Sequence, residues 1–267
     1  MKLSVDQILS IEKELIEILK EAGSRLLFYW GKCIKHGNKD DQSFVTEADL
    51  AIEDFLINSL SKLYPNATFL AEESGYTGKN DGPYQWVIDP LDGTRNFTHH
   101  IPYFCISVAL TYKDDPLIGV IYNPLHNELF YASKGNGSFY NGKKISIKAP
   151  QSFEQSFLVF GISHLRDRRS TIVKASIHLA SRVAAIRCMG AVALDMAYIA
   201  LGRFDGALFA SLAWWDVAAG ILIIQESGGV VFDWEGEKLT PSYANCMAGS
   251  ALICNNLLQY FIQQPRD

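Results

Sequence analysis

WVIDPLDGTRNF, residues 86–97, decides how this chain is to be read. The apolar run Trp86-Val87-Ile88 is strand-like, and it delivers Asp89, Pro90, Asp92, Gly93 and Thr94 into one tight turn. Two carboxylates that close repel each other unless something positive sits between them. Other acids also follow β-rich runs or open helices: Glu72 and Glu73 in LAEESG, Asp216 in WWDVAAG and Asp49 in VTEAD. If these converge, they form an all-oxygen, strongly negative pocket suited to a hard divalent cation, with Mg2+ the default. Pro90 fixes the backbone so that the Leu91 carbonyl turns inward as one more oxygen ligand, and Gly93 lets a ligand come close. Exposed N–H groups at Gly93 and Thr94 then offer a nest for a phosphate.

Taken singly, the acids have ordinary explanations. Glu72-Glu73 reads as a solvated pair and Asp49 as a helix cap. Asp216 lies in AWWDVAAGILII, where an unpaired charge is costly and a partner is expected. The 89–94 turn is harder to dismiss. An EF-hand loop needs acids at alternating positions, and Leu91 falls where one should be. Phosphatases that use an aspartyl nucleophile carry DxDx[TV], with acids two apart, whereas Asp89 and Asp92 are three apart. A covalent aspartyl-phosphate mechanism is therefore the weaker choice.

Upstream, Val5, Ile8, Leu9, Glu12, Leu15, Ile16, Leu19, Ala22 and Leu26 trace a mostly apolar stripe, which predicts one amphipathic helix over 4–29. GKCIKHGNKDDQ, residues 31–42, reads as a loop. Thr46 reads as an N-cap, with Asp49 at capping-box spacing, opening a helix that runs to about Leu63. From Thr68 to about residue 147, short β-rich runs broken by Gly, Pro, Asn and Asp predict a large, mostly antiparallel sheet, with Asn141-Gly142 as a hairpin turn. After Pro150 strands and helices alternate, the last helix starting at Ser250. The expectation is one catalytic unit over 1–267, with sub-halves of about 1–150 and 151–267 and the site in a cleft between them.

Composition narrows the function classes. A hydrophobic content of 48% supports a sizeable core, and a net charge of −5 argues against nucleic acid as the main partner. The five cysteines, Cys33, Cys105, Cys188, Cys246 and Cys254, are scattered without CxxC spacing and read as reduced cytosolic thiols. No run approaches the ~20 apolar residues of a membrane span, and the opening helix lacks the core of a secretory signal, so a cytoplasmic protein without a membrane partner is expected. The sequons at Asn66 and Asn96 are read as chance on that ground.

With VTEAD at 45–49, AEES at 71–74, WVIDPLDGTRNF at 86–97, GNGSFYNGKKI at 135–145, RCMGAVALD at 187–195 and WWDVAAGILIIQESGG at 214–229 in order, the chain resembles the inositol monophosphatase family. That family has the fructose-1,6-bisphosphatase-like sugar phosphatase fold. The resemblance implies an α/β (α+β layered) αβαβα sandwich, with a large, mostly antiparallel sheet in the N-terminal half and a smaller mixed α/β C-terminal half. It implies a Mg2+-dependent phosphomonoesterase acting on a small phosphorylated metabolite by metal-activated water. Two or three Mg2+ ions are implied, the first held by Glu72, Asp89 and the Leu91 carbonyl, the second by Asp89, Asp92 and Asp216. Thr94, hydrogen-bonded to Asp49, would help Glu72 position and deprotonate the water. Glu73 would stand behind these ligands, and the 31–43 loop with Lys39 would be a flap. Lithium inhibition and a homodimer are also implied.

The departures bear on substrate. Relatives commonly carry a Glu four residues after the position of Asp205, where it binds sugar hydroxyls; here Phe209 stands. Gly190 is followed by Ala191 and Val192 where a hydroxyl residue and Ala are usual. The substrate pocket implied by Gly93, Thr94, Gly190, Ala191, Val192, Phe209 and Asp216 is thus less suited to a polyol, unless Asp195 supplies the lost contact. Histidinol phosphate and 3′-phosphoadenosine compounds join inositol and sugar phosphates as candidates. Arg166-Asp167-Arg168-Arg169 is either a second phosphate contact or a solvated helix start, and His99-His100 a surface turn. An alternative from another class is a regulatory or scaffold protein of the same fold acting through protein partners.

Overall fold

The structure is a computed structural model describing residues 3–32, 36–38, 44–78, 82–162, 171–242 and 245–263. The chain opens with α1 (Val5–Tyr29), a short ladder of β1 (His36–Asn38) and β2 (Phe44–Thr46), and α2 (Glu47–Leu63). There follow β3 (Thr68–Ala71), β4 (Gly75–Thr77), β5 (Tyr84–Asp92), α3 (Thr94–Thr98), β6 (Cys105–Tyr112), β7 (Asp115–Asn123), β8 (Glu128–Ser133), β9 (Gly137–Tyr140) and β10 (Lys143–Ile145). The remainder is β11 (Phe157–Ile162), α4 (Thr171–Ala180), β12 (Ala185–Arg187), α5 (Val192–Leu201), β13 (Gly206–Ala210), α6 (Trp214–Glu226), β14 (Val230–Phe232), β15 (Cys246–Gly249) and α7 (Ala251–Gln263).

Local signals set many of these boundaries. Ser4 and Gln7 form a reciprocal capping box at the start of α1, and Thr46 and Asp49 form another at the start of α2. Asn141 and Gly142 both have positive φ, as a primed hairpin turn between β9 and β10 requires. The ladder of β1 and β2 corrects the reading of 31–42 as loop: His36 pairs with Thr46 and Asn38 with Phe44. Lys39, Cys33 and the Arg166–Arg169 run lie outside the described residues.

The large sheet has eight strands in the order β10-β9-β8-β7-β6-β5-β3-β4. Every pairing in it is antiparallel except β3 with β5. The smaller sheet is mixed, in the order β12-β11-β13-β15-β14. Alternate residues of β5 enter different cores: Trp86 and Ile88 pack with α1 and α2, whereas Val87 packs with α5 and α6. The smaller sheet does the same, Val159 facing α5 and α6 while Leu158 and Phe160 meet α4 and α7. The result is five layers, αβαβα. Covering both faces explains why the strands read as unbroken apolar runs rather than alternation. The middle helix α6 is apolar nearly all round because it lies between the sheets. It sits directly on β7 because Gly119 has no side chain; a Cβ there would lie 2.7 Å from the Ala219 carbonyl oxygen.

Candidate active site

Residues three apart on a strand normally face opposite ways, so Asp89 and Asp92 should diverge. They do not, because the β5–β6 register shifts between them: Asp89 stands opposite Ser107 and Asp92 opposite Cys105. The extra residue at Pro90-Leu91 is a bulge that turns both carboxylates toward the layer of α5 and α6. The parallel pairing of Ala71 with Ile88 brings Glu72 alongside, its N–H donating to the Ile88 carbonyl at 3.2 Å.

Each remaining acid sits at a helix start. Asp92 lies at the N-terminus of α5, a hundred residues away in sequence: its Oδ1 accepts from Val192 N at 3.0 Å, and its Oδ2 from Ala193 N at 2.7 Å and Leu194 N at 3.2 Å. The N-cap of α5 is Ala191, which has no capping side chain, so Asp92 does that job from another strand. The Cys105 thiol donates to the same oxygen at 3.5 Å. Asp216 accepts from Ala213 N at 2.7 Å at the start of α6. Asp49, fully buried in the first turn of α2, accepts from the Thr46 N–H at 2.8 Å and from the Thr46 hydroxyl. Its other oxygen lies 3.0 Å from Thr94 Oγ1. Thr94 Oγ1 is also 3.0 Å from the Leu91 carbonyl oxygen, so its one hydrogen is drawn between two acceptors. Helix N-termini therefore supply part of the positive potential that these crowded carboxylates need.

They do not supply enough of it. Burial pushes Asp89 well above the ordinary carboxylate range, and the charges of Glu72, Asp92 and Asp216 push it further. Burial raises Asp92 to about 6 against the pull of its backbone donors, and Asp216 to about 7. Asp89, which feels the charges of Glu72, Asp92 and Asp216, stands at the centre of an oxygen donor set suited to a hard divalent cation. Among the described residues, no group of three or more His, Cys, Asp or Glu side chains is arranged to hold an ion as it stands. The carboxylates of Asp92 and Asp216 are turned to helix amides instead.

A stability consequence follows for protein kept in EDTA. Between the unfolded carboxylate range and about pH 7 the folded chain binds more protons than the unfolded one, so stability is lost as pH rises. The lowered groups Asp115, Glu128 and Glu154 act with the opposite sign, but only below their unfolded pKa values, outside this window. Thermal melts in EDTA should therefore show a midpoint lower by about 5 °C at pH 8 than at pH 5.5. A flat or rising midpoint over that range would contradict the raised acids.

The structure brings Gly93, Gly190, Ala191 and Val192 together. Gly93 has φ 92°, and a Cβ there would lie 3.0 Å from the Tyr103 carbonyl oxygen and 3.1 Å from the Ala191 Cβ. Asn96, dismissed in the sequence as part of a chance sequon, fastens this junction: its Nδ2 donates to the carbonyls of Tyr103 and Met189, both at 2.8 Å. Phe209 is placed differently from a pocket wall. It is fully buried on β13, packed against Gly161 and Val192. Asp195 is buried in the middle core, with the Tyr103 hydroxyl donating to its Oδ1 at 2.6 Å and its Oδ2 left without a hydrogen-bond partner among the described residues. His99 and His100 are exposed, as expected of a surface turn. No described helix is long and apolar enough to cross a membrane.

The sequence pattern of the Inositol monophosphatase family matches residues 7–264. The chain is 37% identical over 265 residues to an inositol monophosphatase of Mesembryanthemum crystallinum, covering 93% of this chain and 94% of that one. It is 35% identical over 226 residues to the Nus factor SuhB of Escherichia coli strain K12, covering 84% and 85%. The crystal structure of the extragenic suppressor protein suhB from Bartonella henselae superposes with a TM-score of 0.90 at 34% identity, over 95% of this chain and 99% of that one. With a match of that extent in sequence and in fold, this chain belongs to the inositol monophosphatase family.

Proposed function

We propose that the protein is a Mg2+-dependent phosphomonoesterase of a small phosphorylated metabolite. Family membership supports a phosphatase, in a family that is generally metal-dependent. The observation that carries the finer reading is the set of acids around Asp89 beside the hydrogen-bonded pair of Thr94 and Asp49. Two or three ions held by Glu72, Asp89, the Leu91 carbonyl, Asp92 and Asp216 would, when bound, lower the pKa of water and neutralise charge on the phosphate. Asp49 orients the Thr94 hydroxyl so that its lone pairs face the attacking water, and Glu72 takes the water's proton. The N–H groups of Gly93 and Thr94 hold the phosphate oxygens. Gly190, Ala191 and Val192 present a small, apolar wall to the leaving group. Lithium inhibition, a homodimer and a cytoplasmic location belong to the same proposal by the family resemblance.

Phosphate release should be measured across inositol 1-phosphate, histidinol phosphate, sugar phosphates and 3′-phosphoadenosine 5′-phosphate, each with Mg2+ and with EDTA. Turnover of at least one compound is expected, and EDTA should abolish it. Turnover indifferent to EDTA would refute the metal assignment. The similarity to a protein named as a Nus factor supports a second reading, action through protein partners. Folded protein that binds Mg2+ yet turns over none of the panel would favour it.

A further inference from the structure

Helix α2 holds two buried acids one turn apart on one face, Asp49 and Glu53, at 0% and 3% exposure. Asp49 reaches the Thr94 hydroxyl. Glu53 reaches the other side of the site: its Oε2 accepts from Glu73 N and its Oε1 from Ser74 N, both at 2.8 Å. These are the amides directly after Glu72, whose own N–H is bound to the Ile88 carbonyl beside Asp89. Both ends of the Glu72 backbone are thereby fixed, one by β5 and the other by Glu53. Burying a carboxylate is costly, and a turn with two free amides on the surface would be satisfied by water. A carboxylate is nevertheless suited to this task, because both its oxygens only accept, whereas a glutamine in its place turns an NH2 group toward one of the amides.

We infer that Glu53 is a positioning residue: it clamps the 72–74 turn so that Glu72 is held ready to ligate a divalent cation next to Asp89. The inference rests on the proposed metal site and deepens it. On this account α2 is the common support of the site, setting Thr94 through Asp49 and Glu72 through Glu53.

The molecule contains a control for a merely structural role. Glu226 makes the same two-amide clamp on the β8–β9 turn, its Oε1 accepting from Gly135 N at 2.7 Å and its Oε2 from Gly137 N at 2.8 Å, with no acid of the site involved. The experiment is titration calorimetry of full-length protein with Mg2+, comparing wild type, Glu53→Gln and Glu226→Gln, with a thermal melt of each in EDTA. Groups that orient a metal ligand are typically worth 10–100-fold in affinity, and one acting through the neighbouring backbone falls at the low end. Glu53→Gln should bind Mg2+ about 10-fold more weakly, while Glu226→Gln binds as wild type does despite losing an equivalent clamp. Wild-type binding by Glu53→Gln, or equal weakening by both variants, would overturn the inference and leave the metal site standing. No Mg2+ binding by wild type would overturn the metal site and this inference with it. If Glu53→Gln does not fold, Glu53→Asp, which keeps the charge and shortens the reach, is compared in the same way.

Discussion

Asp92→Asn is expected to lower turnover by at least ~100-fold, the scale on which a key charge stabiliser is lost, and to destabilise the protein as well. From sequence alone the substitution looks gentle, since it removes one charge and little volume. The structure gives the carboxylate a second duty. Three backbone amides at the start of α5 and the Cys105 thiol all donate to it. Asparagine keeps one oxygen and presents an NH2 group where the other was, so at least one buried amide loses its acceptor whichever way the side chain turns. It also removes the negative charge from the positive end of α5. Leaving a buried donor unmatched costs about 1–3 kcal/mol. The two duties separate by measurement. The loss of helix support should appear equally in denaturant melts with EDTA and with Mg2+, whereas the loss of a metal ligand should appear only as a smaller stabilisation by added Mg2+ and as lost turnover. Turnover like that of wild type would refute Asp92 as a metal ligand. A protein acting solely through partners would show the stability loss with no functional loss.

What was legible in the sequence was local. The capping box at Thr46, the apolar stripe of α1 and the Asn141-Gly142 turn set their own elements in place, and the structure keeps them. Strand β15, Cys246–Gly249, was missed because Cys, Met, Ala and Gly carry little β preference; it is a strand because β13 and β14 pair with it on either side. Strand β1, His36-Gly37-Asn38, was hidden in polar, Gly-punctuated sequence and is a strand because β2 pairs with it. In the site, residue types announced the acids but not their supports. Nothing near Ala191 signals that α5 is capped by Asp92, and Glu53 looks like one more charge on a polar helix. The partners of both lie beyond the reach of any local pattern. Phe209 was read from the family resemblance as part of a pocket, whereas its complete burial follows from the glycine at 161 on the neighbouring strand, a pairing that only the parallel register of β11 and β13 reveals.

That pairing makes Phe209→Glu the second large effect. An acid at this place would seem to restore the polyol contact of the family, and the expected result is instead a loss of about 3–5 kcal/mol of stability, the penalty for a buried charge without a partner. The ring occupies the space that Gly161 leaves open: a Cβ at 161 would meet Phe209 Cδ1 at 2.5 Å and Val192 Cγ2 at 3.3 Å. Gly161, Phe209 and Val192 are therefore one packing unit, and Val192 is also the residue whose N–H holds Asp92 Oδ1. A carboxylate in place of the ring would either stay in the apolar core or force its way out past Val192, disturbing the start of α5 in doing so. Phe209→Leu, which keeps the position apolar, should cost only about 1 kcal/mol and leave the order of substrate preference unchanged. Urea unfolding of both variants tests this, together with their rates on inositol 1-phosphate. If Phe209→Glu is as stable as wild type and gains inositol phosphate turnover, the ring is part of the substrate pocket and a single residue selects against polyols. If it unfolds as expected, the ring is a packing residue of the core and not a selector of substrate.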